Sequence, residues 1–201
     1  MSTVLDSIFS MVIGGIILVF VHHLNININT AAATKTMTTT VQQNVTSFTD
    51  VLEYDLRKIG YNAFAPSIIS VAESTKIRFK GDFDNNNTVD SVYYYMGTTS
   101  DPKFIDARSR VVYRQLNAGP VQAINLGMTR FRFWYFDGSG NPLVANPAVS
   151  NPLLIRTIKV GLSIDLAIQI EPFKKSNGTL AYDTTYSNAA WERTIKPVNL
   201  R

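Results

Sequence analysis

The chain has 201 residues, 45% of them hydrophobic and 17% charged, a formal net charge of +4 and no cysteine. That length holds one sizeable domain plus an extra element, and the absence of cysteine excludes a disulfide framework, a thiolate metal site and a cysteine nucleophile. The sequence pI is near 9.3, but no basic run exceeds two residues, so the clustered footprint of a nucleic-acid binder is missing and no nucleic-acid partner is expected.

Residues Leu5 to Leu24 read LDSIFSMVIGGIILVFVHHL, and Asp6 is the only formal charge before Lys35. As an α-helix this stretch is long enough to cross about 30 Å of hydrocarbon. A cleaved secretory signal would carry a positive n-region, which is missing here, although Ala31-Ala32-Ala33 resembles a cleavage site. An ordinary anchor would find little to orient it by the positive-inside rule.

A third reading starts from Asp6, because a carboxylate in an apolar helix is costly unless something pairs with it. Loss of the initiator Met would expose the Ser2 amine, which the Asp6 carboxylate of a neighbouring subunit could neutralise in an apolar filament core. Placement of Asp6 at headgroup level, favoured by the helix dipole, is the plainer alternative. In the filament reading Ile8, Phe9, Ile13, Ile17 and Phe20 supply assembly contacts, with Gly14 and Gly15 permitting close helix packing. His22 and His23 point about 100° apart on a helix, so they read as interfacial residues rather than metal ligands.

Residues 25–30 (NININT) could kink or unwind the helix. Helical periodicity resumes with Val41, Val45, Phe48, Val51, Leu52, Leu56 and Ile59 at steps of three and four, an apolar stripe for packing on a sheet. Gly60 supplies a stop, with Arg57 and Lys58 in the last turn. Thr34–Thr40 has low helix propensity and is expected to be the weakest part of the stem. Glu53 and Asp55 precede Arg57 and Lys58 and read as members of local ion pairs.

After Gly60 the period changes to two. Strands are predicted at Lys76–Lys80, Ser91–Tyr95, Arg110–Gln115, Met128–Phe136, Ile155–Ile170 and Trp191–Val198. The run beginning at Ile155 is expected to be the central strand, and Asn141–Pro152, with its three prolines, to be a loop. The predicted fold is α+β: a long N-terminal helix packed on an antiparallel β-sheet head. Its parts are an apolar membrane or filament-core helix over 1–30, an amphipathic stem helix over 31–60 and a β-rich head over 61–201.

Asp82, Asp84, Asn86, Thr88 and Asp90 alternate as oxygen ligands do in the first part of a calcium loop. The turn glycine and the bidentate Glu at the twelfth position are absent, and Asn and Asp build such hairpin turns without metal. Calcium is the one cofactor to consider. Catalysis is not expected: both histidines, His22 and His23, lie in or beside the apolar helix, leaving no Ser–His–Asp set in the head, and no P-loop or dinucleotide fingerprint occurs. Tyr93-Tyr94-Tyr95 and Phe131–Phe136 could form a stacking surface for sugar or single-stranded DNA, but alternate aromatics on strands more often face a core.

The strings LEYDLRKIGY (residues 52–61), IRFKGDFDNNNTVDSVYYY (77–95), RVVYRQ, MTRFRFWYFDGSG, IRTIKVGLSI and WERTIKPVNLR occur in an order that resembles the type IV pilin-like superfamily. The nearest likeness is to PilW-type minor pilins and the J-type pseudopilins of type II secretion. That resemblance implies a structural, non-enzymatic subunit held in the bacterial inner membrane before assembly. It then joins copies of itself or other pilins in a helical cell-surface filament, with the β head exposed. The alternatives are a minor pseudopilin of a secretion or pilus tip complex, and a monomeric membrane-anchored binding domain. In the superfamily an acid stands fifth in the mature chain, which Asp6 matches if Ser2 is first. Departures are the aspartate in place of glutamate, serine in place of phenylalanine, and the lack of a basic leader. The leader is either already trimmed or not used.

Overall fold

The fold is that of a computed structural model, which describes residues 2–64, 67–104, 106–174 and 180–200, with the side chains of residues 2 and 166–187 outside the description. One helix, α1, runs from Ser2 to Arg57, 56 residues without a break, or about 84 Å at 1.5 Å per residue. The NININT segment does not interrupt it. The threonine-rich part stays helical, with its hydroxyls satisfied locally. The hydroxyls of Thr34, Thr38, Thr39 and Thr40 each donate to the carbonyl four residues earlier, at 2.9–3.0 Å, which satisfies them inside the helix rather than in competition with it. The helix ends in a turn at Gly60, where φ is +76° and a Cβ would lie 3.0 Å from that of Asn199. Both the left-handed backbone and the close C-terminal tail require glycine there.

Eight strands follow: β1 Ile69–Ala72, β2 Lys76–Gly81, β3 Asp90–Ser100, β4 Arg110–Leu116, β5 Val121–Phe136, β6 Pro142–Leu143, β7 Thr157–Lys174 and β8 Leu180–Ile195. All pair antiparallel, in the order β1-β2-β3-β4-β5-β7-β8 with β6 against the end of β5. The chain is thus the expected α+β arrangement of a long helix on an antiparallel sheet.

The long strand β5 divides its partners. Its first half pairs with β4, and its second half pairs with β7. The sheet curls until the β1–β2 turn meets β5. The Phe133 N–H donates to the Ser74 carbonyl at 2.8 Å, and the Tyr135 hydroxyl donates to the Glu73 carbonyl at 2.8 Å. The Val149 N–H donates to the Ala72 carbonyl, so the β1 edge is met by the loop before β7, one of the ways a sheet edge is protected.

Three expectations are corrected. The β7 strand is penultimate rather than central, because β8 alone lies beyond it. The predicted loop Asn141–Pro152 contains β6 and the bridge of Glu73 to Ala148. Val51 is 48% exposed, since it falls at the flank of the stripe. The other stripe residues, Val41, Val45, Phe48, Leu52, Leu56 and Ile59, are all buried. They meet the inward residues of the sheet, notably Phe48 against Tyr94 and Phe131 at ring separations of 6.5 and 6.0 Å.

Asp55 also departs from its expected role. Glu53 does pair locally with Arg57, at 2.6 Å, but Asp55 lies three residues after Leu52 and four before Ile59, inside the buried stripe. Its carboxylate is buried and accepts from the Tyr94 hydroxyl at 2.6 Å and from Arg114 Nε at 2.8 Å, while Arg114 Nε also reaches the Tyr94 oxygen at 3.1 Å. Burial, and then the Asp55 charge beside it, push the Tyr94 hydroxyl well above its ordinary value. Burial, the largest influence, opposes the Arg114 charge, but the hydrogen bonds and charges of Asp55 and Tyr94 together outweigh it and raise that guanidinium above its ordinary value. The triad ties α1 to β3 and β4 through one desolvated charge pair.

Removing one partner of such a pair is costly, whereas replacing the whole set with apolar groups need not be. Asp55→Ala is therefore expected to destabilise the folded head by about 3 kcal/mol, and Asp55→Leu combined with Arg114→Leu to recover most of that loss. Denaturant unfolding of the full chain in detergent, followed by tryptophan fluorescence, measures both. Additive losses in the double variant would contradict the coupling.

Candidate functional site

Two features stand apart from the core. The first is the N-terminal half of α1. Among the described residues nothing between Thr3 and Thr40 is buried, and the window that is long and apolar enough to cross a membrane is uncovered by the rest of the chain. Ile8, Phe9, Ile13, Ile17 and Phe20 are each more than half exposed, but so are Val4, Leu5, Met11, Ile16, Leu18 and Val21. The apolar surface therefore runs all round the helix, as on a segment meant to be enclosed on every side. At Gly14 and Gly15 an added Cβ would meet nothing within 4 Å, so no contact inside the chain calls for glycine.

Asp6 lies beyond the first helical turn, where the dipole of the helix is already weakening. Its backbone carbonyl accepts from the Ser10 hydroxyl at 2.8 Å, and its carboxylate has no partner among the described residues. The amine expected to pair with it belongs to a neighbouring subunit, and Met1 and the Ser2 side chain lie outside the described residues.

The second feature is the loop between β2 and β3. Asp82, Asp84 and Asp90 come together, with one carboxylate oxygen of each within 4.8 Å of the others. Asn86 and Thr88 join them through Asx turns, the Asn86 side-chain oxygen accepting from the Thr88 N–H at 2.7 Å. Asp82 and Asp90 are buried and Asp84 is exposed. Their oxygens are already engaged by N–H donors. Asp82 accepts from the Asn86 and Asn87 N–H groups, both at 3.1 Å, and from the Asn62 amide at 3.2 Å. Asp90 accepts from the Phe83 N–H and the Asn117 amide.

A cation also sits against this loop. Lys58 Nζ donates to the Asp82 and Phe83 carbonyls and to Asn85 Oδ1, at 3.2, 3.0 and 2.8 Å, and stands over the Tyr54 and Tyr61 rings. The loop is built as a clasp on the end of α1. Its five oxygen residues would supply a hard cation's ligands with oxygens that already accept these hydrogen bonds.

The aromatic segments divide between the two faces of the sheet. Tyr94, Phe131, Phe133 and Tyr135 are buried. On the outer face Arg78 stacks on Tyr93, Tyr93 on Tyr95 and Tyr95 on Tyr113, at 4.2, 4.8 and 4.9 Å. Those rings spend their faces on one another, which stabilises the strand pairs and leaves no open platform for a base or sugar ring. Sequence reading missed the outward set on β5, Arg130, Arg132 and Trp134. The signal for it is the cationic alternation between the buried aromatics.

No family model matches the chain, and no curated protein or solved structure does either. The likeness to pilins accordingly rests on the residues themselves.

The clasp carries a pH signature. Burial alone would raise the Asp82 carboxyl, but the donors from Asn62, Asn87, Asn86 and Asn85 hold it below the ordinary 3.8. A folded value below the unfolded one means that the unfolded chain binds more protons as pH falls, so the stabilisation is fully present above the unfolded value and is lost as pH falls through the folded one. The Tm difference between wild type and Asp82→Asn should be constant above about pH 5 and close below about pH 4. Thermal unfolding across that range measures it, and a gap independent of pH would contradict the assignment.

Proposed function

We propose that the chain is a structural subunit of a type IV pilus-like extracellular filament, held in a membrane by the apolar half of α1 and assembled through that same half, with the β head outside. The observation that carries this reading is a helix apolar on every side and uncovered along its first half, continuous with a stem whose second half is locked into a folded head. Lipid and a bundle of like helices both satisfy such a surface. The bundle also gives a role to two features that lipid does not call for, the Asp6 carboxylate and the glycine pair. A neighbour's terminal amine can neutralise Asp6, and the open surface at Gly14 and Gly15 lets a second helix approach closely. The work of such a subunit is mechanical, with no reaction to catalyse.

The test uses the full chain expressed in a bacterial host with a compatible assembly system, and reads the protein recovered in sheared surface filaments. Leaving a neighbour's amine unpaired in an apolar core costs several kcal/mol, so Asp6→Ala should lower recovery by about tenfold or more. Gly14→Leu should do the same by holding helices apart, while the thermal unfolding of the head is unchanged in both. Normal filaments from Asp6→Ala would remove the pairing, and a wild-type chain found only as a detergent-solubilised monomer would remove the filament.

A further inference from the structure

On the outer face of the sheet the register sets Arg130 beside Ser163, Arg132 beside Gly161 and Trp134 beside Lys159. It then sets Ser163 beside Ala190 and Gly161 beside Glu192 on β8. Their strand neighbours Phe131, Phe133, Val160 and Leu162 are buried, so these residues share the solvent face. Three cations crowd one indole, with Arg130, Arg132 and Lys159 at 5.3, 5.5 and 5.5 Å from the Trp134 ring centre. Lys159 has a carboxylate partner, Glu192. Arg130 and Arg132 are exposed and form no ion pair among the described residues. Beside them lies a depression of about 140 Å³, lined by Arg130, Gly161, Ser163, Ala190 and Glu192. Its floor is low because Gly161, Ser163 and Ala190 are small, and the Trp134 ring packs over Gly161 outside that lining, 3.1 Å from where a Gly161 Cβ would be.

We propose that this face binds an acidic sugar residue of a polysaccharide. The unpaired guanidinium of Arg130 at the rim, with that of Arg132 two residues along the strand, matches a carboxylate bidentately. The small-residue floor leaves room for a pyranose ring, and Ser163 and Glu192 offer hydrogen-bond partners to its hydroxyls. Like charges gathered round one ring repel one another unless an anion joins them. The charge complementarity is local and small, suited to one acidic ring. A nucleic acid would use a longer track of phosphate contacts and free aromatic faces, whereas the tyrosine ladder spends its faces on itself.

The test titrates oligogalacturonate into the full chain in detergent by calorimetry, with a neutral malto-oligosaccharide and oligo-dT as comparison probes. Oligogalacturonate should bind and the other two should not compete with it. Arg130→Ala combined with Arg132→Ala should weaken binding by about tenfold or more. Ala190→Phe, which fills the depression and keeps every charge, should weaken it as well. Lys35→Ala combined with Lys103→Ala, the same charge removed elsewhere, should leave it within about twofold. No binding by wild type, equal loss in the charge control, full binding by Ala190→Phe, or displacement by oligo-dT would each overturn the proposal. Filament formation plays no part in the readout, so this site and the assembly reading can fail separately.

Discussion

Leu52 and Leu56 are fully buried against the sheet, and the helix that carries them continues unbroken to Ser2. This continuity governs the rest of the molecule, because whatever encloses the apolar half is rigidly joined to the head. Covering one Val, Ile, Leu, Phe or Met stabilises by about 1.5–3 kcal/mol, and fifteen such residues stand exposed on α1 before Asn29. The gain available from a single enclosing environment far exceeds the roughly 4–15 kcal/mol that association costs. The apolar half therefore has to be covered, and the choice between lipid and neighbouring helices falls to its two least lipid-like features, Asp6 and the glycine pair.

The head is organised to hold its end of that helix. The curl of the sheet brings the β1–β2 turn onto β5, closing a core of Phe79, Tyr94, Phe131 and Phe133 over Phe48. Asp55 adds direction to the contact, since a carboxylate in an apolar stripe is tolerable only where Arg114 and Tyr94 meet it. The β2–β3 loop then clasps the last turn through Lys58. With the inner face and one edge of the sheet committed to these tasks, the outer face is free for a second role, and the unpaired arginines of β5 lie there.

Much of this was legible in the sequence. The period-two runs at Lys76, Ser91 and Arg110 place β2, β3 and β4, and the three-and-four stripe from Val41 to Leu56 places the buried face of α1. The N-terminal part of β5, VQAINLG, was missed because it alternates poorly and is reset by Gly127, where φ is +70°. β1 is only four residues long, too short to show a period. The length of apolar alternation in β7 reports how long its ladder is and carries no information on its rank in the sheet, which explains its misplacement. Asp55 could have been found, since an acid at stripe spacing from Leu52 and Ile59 implies a distant cationic partner. Which cation answers it depends on the β3–β4 register that places Arg114 opposite Tyr94, and no local pattern encodes that.

The central claim is that neighbouring α1 helices enclose one another. Electron cryomicroscopy of the full chain purified from sheared cell surfaces tests it most directly. The account predicts helical fibres whose core is a bundle of continuous α1 helices, with residues 3–30 inside, Asp6 facing a neighbour's N-terminus and the β heads outside. Single particles with one α1 helix in a detergent or lipid belt, and no ordered contact between copies, would contradict it.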